Sequence, residues 1–356
     1  MLSFGERLKQ ARVARGLSLR ELAEKVGVSA MSVSKYENDR TRPSPEVRAR
    51  IAEALGVKPL YFNRPEQVDL DCIAYRTRRK MGSKARQSVE ARVAEFLERY
   101  LTLESIFDPD RLPTFTWPEC CNRRVESLAD AEEAAEGLRQ EWRLGTAPIG
   151  NLCEALEDRG VKVVLLPEAP AEFEGFSCVA NGSVPVVVSR QADDLPGDRQ
   201  RFNLAHELGH LLLADKVSER LDLEKAYHRF AGALLVPGDA VLMEVGPQRS
   251  WVAPKELHSL KHKWGLSMGG WLHRLADLGV ISASMYDQTT RQFRKQGWHL
   301  REPGTQYGPE QPHRLQRLVE RAVAEDLISV GRAGDFLNKP LYKVREELRW
   351  PEEAPL

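Results

Sequence analysis

Cysteine is scarce in this chain and poorly placed for cross-linking. Five cysteines are spread over 356 residues: Cys72, Cys153 and Cys178 stand alone, Cys120 adjoins Cys121, and no C-x-x-C pair occurs. That spacing excludes a disulfide framework and a cysteine-held zinc module. It leaves Cys120 and Cys121 as candidates for a redox-sensing role. Long apolar runs are missing as well, since nothing approaches the roughly 18 residues of a membrane span. The opening tract M-L-S-F-G-E-R-L-K-Q does not read as a secretion signal. The expectation is a cytoplasmic protein with no membrane partner. Net charge is also lacking, with 52 Lys and Arg against 52 Asp and Glu. With 42% hydrophobic residues over this length, the chain can build two or three cores.

Overall neutrality hides an asymmetry. Residues 1–64 carry 13 Lys or Arg against 7 Asp or Glu, a balance that suits a polyanion. The same stretch reads as five short helices: Leu8, Ala11 and Leu17, then Leu22, Ala23 and Val26, a Gly27-Val28-Ser29 turn, and Val33 and Tyr36 on the next helix. The tract from Leu19 to Ser44, L-R-E-L-A-E-K-V-G-V-S-A-M-S-V-S-K-Y-E-N-D-R-T-R-P-S, resembles the Xre and phage-repressor type of helix-turn-helix domain. That resemblance implies a double-stranded DNA operator as partner. In its docking geometry the third helix enters the major groove, so Ala30, Met31, Ser32 and Lys35 become candidate base-facing residues, with Arg40 and Arg42 suited to phosphate. Leu19 stands where glutamine is common, with Arg20 beside it as a further contact candidate. Asp39 replaces the usual glycine after the third helix, and Asp tolerates left-handed geometry better than most residues.

The second informative tract is D-R-Q-R-F-N-L-A-H-E-L-G-H-L-L-L from Asp198, which places His206, Glu207 and His210 in H-E-x-x-H spacing. Histidines four apart share one helix face, so both imidazoles can reach a single Zn²⁺ while Glu207 faces the water to be activated. Phe202, Leu204, Ala205, Leu208 and Leu211 to Leu213 would bury such a helix. The third ligand is not a downstream histidine of the H-E-x-x-H-x-x-G-x-x-H kind, because Leu213 and Lys216 occupy those places. A further helix is expected over Leu223 to Pro237, where Glu224 and His228 lie four apart. Asp215, Glu219 and Asp222 read as solvated charges on the connecting loop.

Taken with Gly175-Phe176-Ser177, the apolar strand Val184 to Arg190, Arg201 to His210 and Glu224 to Pro237, these residues resemble the ImmA/IrrE-type metallopeptidases across about residues 126–240. The resemblance implies His206 and His210 as zinc ligands, Glu207 as general base and Glu224 as third ligand. It also implies a protein substrate, typically a small repressor or antitoxin cut in a stress or mobile-element response. Two departures stand out: Tyr227 occupies a position usually small, and His228 one usually Asn or Asp. His228 is open to three readings, as a hydrogen-bonding support behind a ligand, an alternative ligand, or a surface residue. An extended substrate could pair with a sheet edge near Gly175 to Ala180.

The remaining tracts are less telling. A helix is expected over Ser83 to Ile106 with a stripe of Val89, Val93, Phe96, Leu97, Tyr100 and Leu103, for domain packing or a homodimer surface. A loop follows from Phe107 to Arg124, a helix pair spans Lys255 to Leu278, and two amphipathic helices lie between His313 and Leu348. His258 and His262 are four apart, but Ser259 offers no general base, so packing or surface roles are expected. The expected architecture is α+β: an all-α DNA-binding domain (1–64), a helical linker (65–125), a zincin-like core with a small sheet (126–245) and a helical C-terminal region (246–356). The functional expectation is a DNA-binding regulator with a zinc endopeptidase. The alternative is a transcription factor or antitoxin whose peptidase-like domain senses or binds without cleaving.

Overall fold

Serine caps punctuate the first sixty residues. In the computed structural model, which describes residues 2–63, 68–77 and 81–348, Ser3, Ser18, Ser29 and Ser44 each accept a backbone N–H at the start of a helix. These bonds satisfy donors that a helix start otherwise leaves unpaired. The helices are α1 (Phe4–Ala14), α2 (Leu19–Val26), α3 (Ala30–Glu37) and α4 (Pro45–Ala54), followed by a 3-10 turn at Pro59–Asn63 where a fifth helix was expected. Leu8, Leu22, Val26, Val33, Ile51 and Leu55 form their core. Asp39 adopts φ 52°, as its place after α3 requires, and its Oδ1 accepts the Gly5 N–H at 3.0 Å. The aspartate thus keeps the left-handed turn and adds a tie to α1.

The segment expected to be a helical linker contains a strand. β1 (Leu70–Thr77) precedes α5 (Ser83–Glu104) and joins the sheet formed by β2 (Lys162–Pro167), β3 (Phe173–Ala180) and β4 (Val184–Gln191), in the order β1-β3-β4-β2. β1 pairs antiparallel with β3, β3 antiparallel with β4, and β2 parallel with β4. Gly175 to Ala180 therefore lie in the sheet interior, bonded on both sides, and the expected substrate edge there is corrected. β1 takes that place because its partner lies about a hundred residues downstream, a pairing that local sequence pattern does not reveal.

Helix α5 is buried along three successive surfaces. Its Val89, Val93 and Leu97 pack beneath the sheet with Phe173, Phe176 and Val186. Tyr100 and Leu103 pack against the last helices, α14 (Arg314–Ala324), α15 (Val330–Leu337) and α16 (Leu341–Glu347). On the N-terminal domain, Arg7 Nη1 meets Glu98 Oε2 at 2.6 Å with both side chains buried, and the Tyr61 hydroxyl donates to Glu95 at 2.9 Å. The apolar stripe is thus consumed within the chain rather than offered to a second copy.

The largest core joins α6 (Leu128–Glu141), α7 (Leu152–Glu157), α8 (Gly197–Leu213), α9 (Leu223–Leu235), α10 (Gly238–Val245), α11 (Pro254–Trp264), α12 (Met268–Asp277) and α13 (Ala283–Lys295). Its buried members range from Cys121 to Phe293 and include Val161, Val163 and Val187 from around the sheet. The boundary expected at residue 245 is therefore not a break in packing: Val252, Leu257, Trp264, Trp271 and Leu275 belong to the same core as Leu204 and Leu208. The expected helix pair at Lys255 to Leu278 is present as α11 and α12, whereas the tail holds three helices rather than two. Together these elements make an α+β fold.

Candidate functional site

Helix α8 crosses the face of β3 and β4 opposite α5 and is buried along almost its whole length. Leu204, Ala205, Leu208, Leu212 and Leu213 hold it in the core, which directs His206, Glu207 and His210 into a buried position. The Nε2 atoms of His206 and His210 lie 2.9 Å apart. Glu224, in the first turn of α9, brings Oε2 to 3.5 Å from His206 Nε2 and Oε1 to 3.6 Å from His210 Nε2, with its own side chain 53% exposed. Two packed helices thus converge two imidazoles and one carboxylate.

Glycines let these parts approach. Gly175 lies on β3 under Glu207: a Cβ there would fall 2.6 Å from the Val188 carbonyl oxygen and 3.1 Å from Glu207 Cγ. At Gly209 a Cβ would meet Phe230 Cδ1 at 3.0 Å, so the missing side chain allows α8 and α9 to pack closely. Tyr227 packs against the metal-binding candidates, its ring centroid 4.0 Å from that of His210. Burial, with a smaller contribution from Glu224, pushes its phenol up to about 12, so it stays protonated at neutral pH.

His228 faces the same cluster from the second turn of α9. Its ring centroid lies 4.8 Å from that of His206, nearly the 4.7 Å that separates His206 from His210. Ligand atoms of His206, Glu224 and His228 all lie within 4.8 Å of one another. His228 also forms part of the wall of a cavity of about 910 Å³, bounded by Phe173, Phe202, Leu272, Phe293 and Trp298.

The donor set fits a borderline-soft divalent ion. Ligands about 2.0–2.2 Å from one tetrahedral zinc ion stand roughly 3.3 Å apart, and the separations of 2.9, 3.5 and 3.6 Å bracket that value. Of the loop acids, Asp222 caps α9 by accepting the Lys225 N–H.

Arg201 opens the tract that carried the resemblance, but the partners that support it, Glu310 above all, and the pairing of Lys261 with Asp198 and Glu302 carried no readable signal in the sequence. Arg201, fully buried, pairs with Glu310 and donates to the Ile149 carbonyl, while Glu310 accepts the Leu152 and Cys153 N–H groups at the start of α7. Lys261, equally buried, bridges Asp198 at 3.2 Å and Glu302 at 3.0 Å. Both clamps tie residues 302–310 to the N-terminal half of α8. His262 belongs to the same strap, meeting Thr305, and His258 backs onto Gly304, so this pair serves packing. Cys121 is buried beside Cys120, and the contact with its neighbour together with burial raises its thiol pKa, which opposes the reactive thiolate a redox sensor needs.

In the N-terminal domain Arg20, Met31, Lys35, Arg40 and Arg42 are exposed, Met31 at 66%, while Ala30 and Ser32 are half-buried. Docking on α5 uses Arg7, Arg15 and Tyr61 and leaves those side chains accessible.

Comparison with known proteins agrees with both halves. Residues 8–62 match the helix-turn-helix family, and residues 157–276 match the IrrE N-terminal-like domain, a peptidase family. A curated relative is the SPbeta prophage-derived uncharacterized HTH-type transcriptional regulator YonR of Bacillus subtilis (strain 168), 33% identical over 70 residues. That match takes in 19% of this chain and 65% of the relative, just under two thirds of its length. No solved structure matches the chain. The chain carries a helix-turn-helix domain and an IrrE N-terminal-like domain with a metallopeptidase-like fold. No helix among the described residues is long and apolar enough to cross a membrane.

Proposed function

We propose that this chain is a DNA-binding transcriptional regulator whose second domain is a zinc-dependent endopeptidase acting on a repressor or antitoxin-like protein. The observation that carries the reading is the convergence of His206, His210 and Glu224 beside buried Glu207. His206, His210 and Glu224 would hold the ion. Zinc bound there would polarise a scissile carbonyl and bring the pKa of water toward about 7. Glu207, backed against Gly175, takes the proton of the attacking water and returns it to the leaving amine. Tyr227 and the α8–α9 packing hold the imidazoles in place. On the N-terminal domain, Ala30, Met31, Ser32 and Lys35 would face bases, and Arg20, Arg40 and Arg42 phosphate. A homodimer would match a palindromic operator, although the α5 stripe is not its interface.

Comparison of the proteomes and transcripts of cells carrying wild type or Glu207→Gln tests the reading. One repressor-like protein should accumulate in the variant while its target genes fall silent. Identical profiles under stress, with a phenotype retained for loss of residues 1–64, would favour a non-cleaving sensor or interaction module. The proximity of His228 to the ligand candidates gives that second reading its support.

A further inference from the structure

We infer that His228 supplies a fourth protein ligand that closes the coordination shell in the resting state and must swing out before a peptide can be cut. The inference rests on the reading of His206, His210 and Glu224 as ligands. Its basis is the arrangement around His206, whose ring has His210 on one side at 4.7 Å and His228 on another at 4.8 Å between centroids. The His206–Glu224 pair is therefore shared by two triads, one completed by His210 and the other by His228. A tetrahedral ion held by three protein ligands keeps a position open for chemistry, whereas one held by four is closed, as in structural sites.

The surroundings of His228 suit a movable ligand. Glu224 and His228 are one turn apart on α9, so both present donors toward α8 without a change in backbone. His206 and His210 are fixed in the core, but His228 is exposed and borders the cavity of about 910 Å³. Phe202 stands 5.8 Å from His228 and 6.4 Å from His206 between ring centroids, and it too lines that cavity. Phe202 and His228 both line that cavity, so a peptide seated there meets the imidazole directly. Its side chains can draw the imidazole aside, and water then takes the vacated place. One bond to the ion is exchanged for another, with no change in oxidation state. Proteolysis would in this way be confined to substrates that fit the cavity.

The test uses the full-length protein stripped of metal and loaded with Co²⁺, whose visible absorption reports ligand number and identity. Azide serves as the added ligand. Wild type should give an intense tetrahedral spectrum that azide leaves unchanged. His228→Ala should give a different spectrum that azide shifts in a saturable titration, and should bind Co²⁺ at least about tenfold more weakly. His228→Asn, which keeps a small polar group on the helix, should behave like the alanine variant and guards against misfolding of the latter. Superimposable spectra for wild type and both variants, or equal azide response in all three, would overturn the inference. A His206→Ala control separates the levels: if it binds Co²⁺ as wild type does, the ligand reading itself fails, and the closed shell with it.

Discussion

At the scale of single residues, the site depends on one position where nothing but hydrogen fits. Gly175 lets Glu207 lie against β3, and a methyl group there would collide with the Val188 carbonyl and press on Glu207, which would have to shift by a few tenths of an ångström. Gly175→Ala should therefore lower stability by about 1–3 kcal/mol and, by displacing the proposed base, reduce hydrolysis by as much as about a hundredfold. Denaturant unfolding and a peptide cleavage assay would read the two effects, and a variant with wild-type values in both would refute the role given to the glycine. Glu157 offers a pH test. Burial pushes its carboxyl up to about 7 from an ordinary 4.5, even though it accepts the His313 and Arg314 N–H groups. Between those two values the folded chain holds a proton that the unfolded chain has released. The contribution of Glu157 to stability thus falls as pH rises from about 4.5 to 7 and is constant above. Glu157→Gln should remove a pH-dependent term on the order of 3 kcal/mol, seen as a flatter stability curve relative to wild type across that range.

Among the elements, α5 decides how the two halves meet. It carries Glu95 and Glu98 toward the helix-turn-helix domain and its valines toward the sheet, so the DNA-binding domain is docked on the helix that underlies the strands next to the site. Burial raises the Glu98 pKa even with Arg7 beside it, a sign that the pair is costly to bury and costlier to break. Glu98→Ala leaves the Arg7 charge buried and should destabilise the chain by about 3–5 kcal/mol, whereas replacing both residues with Met or Leu should recover most of the loss. Urea unfolding of the single and double variants would show this, and equal loss in both would contradict it. The sequence made α8 and α9 legible because their information is local: the histidine spacing and apolar stripe of α8 lie within that helix, and the stripe of α9 runs to a proline just past its end. It did not reveal β1, whose partner strand is about a hundred residues away, nor Glu310, whose value lies in meeting Arg201 and the start of α7 across long separations. The edge expected near Gly175 was lost for the same reason, since an unseen strand covers it.

For the whole molecule, a basic N-terminal domain and a buried His-Glu-His cluster are joined through continuous packing, which makes metal occupancy the property that the rest of the account depends on. Metal analysis of the purified full-length chain is the most direct measurement. Wild type and Glu207→Gln should each hold about one divalent ion per chain, while His206→Ala and His210→Ala should lose most of it and Glu224→Ala should bind it weakly. Equal metal content in wild type and both histidine variants would contradict the account at its centre.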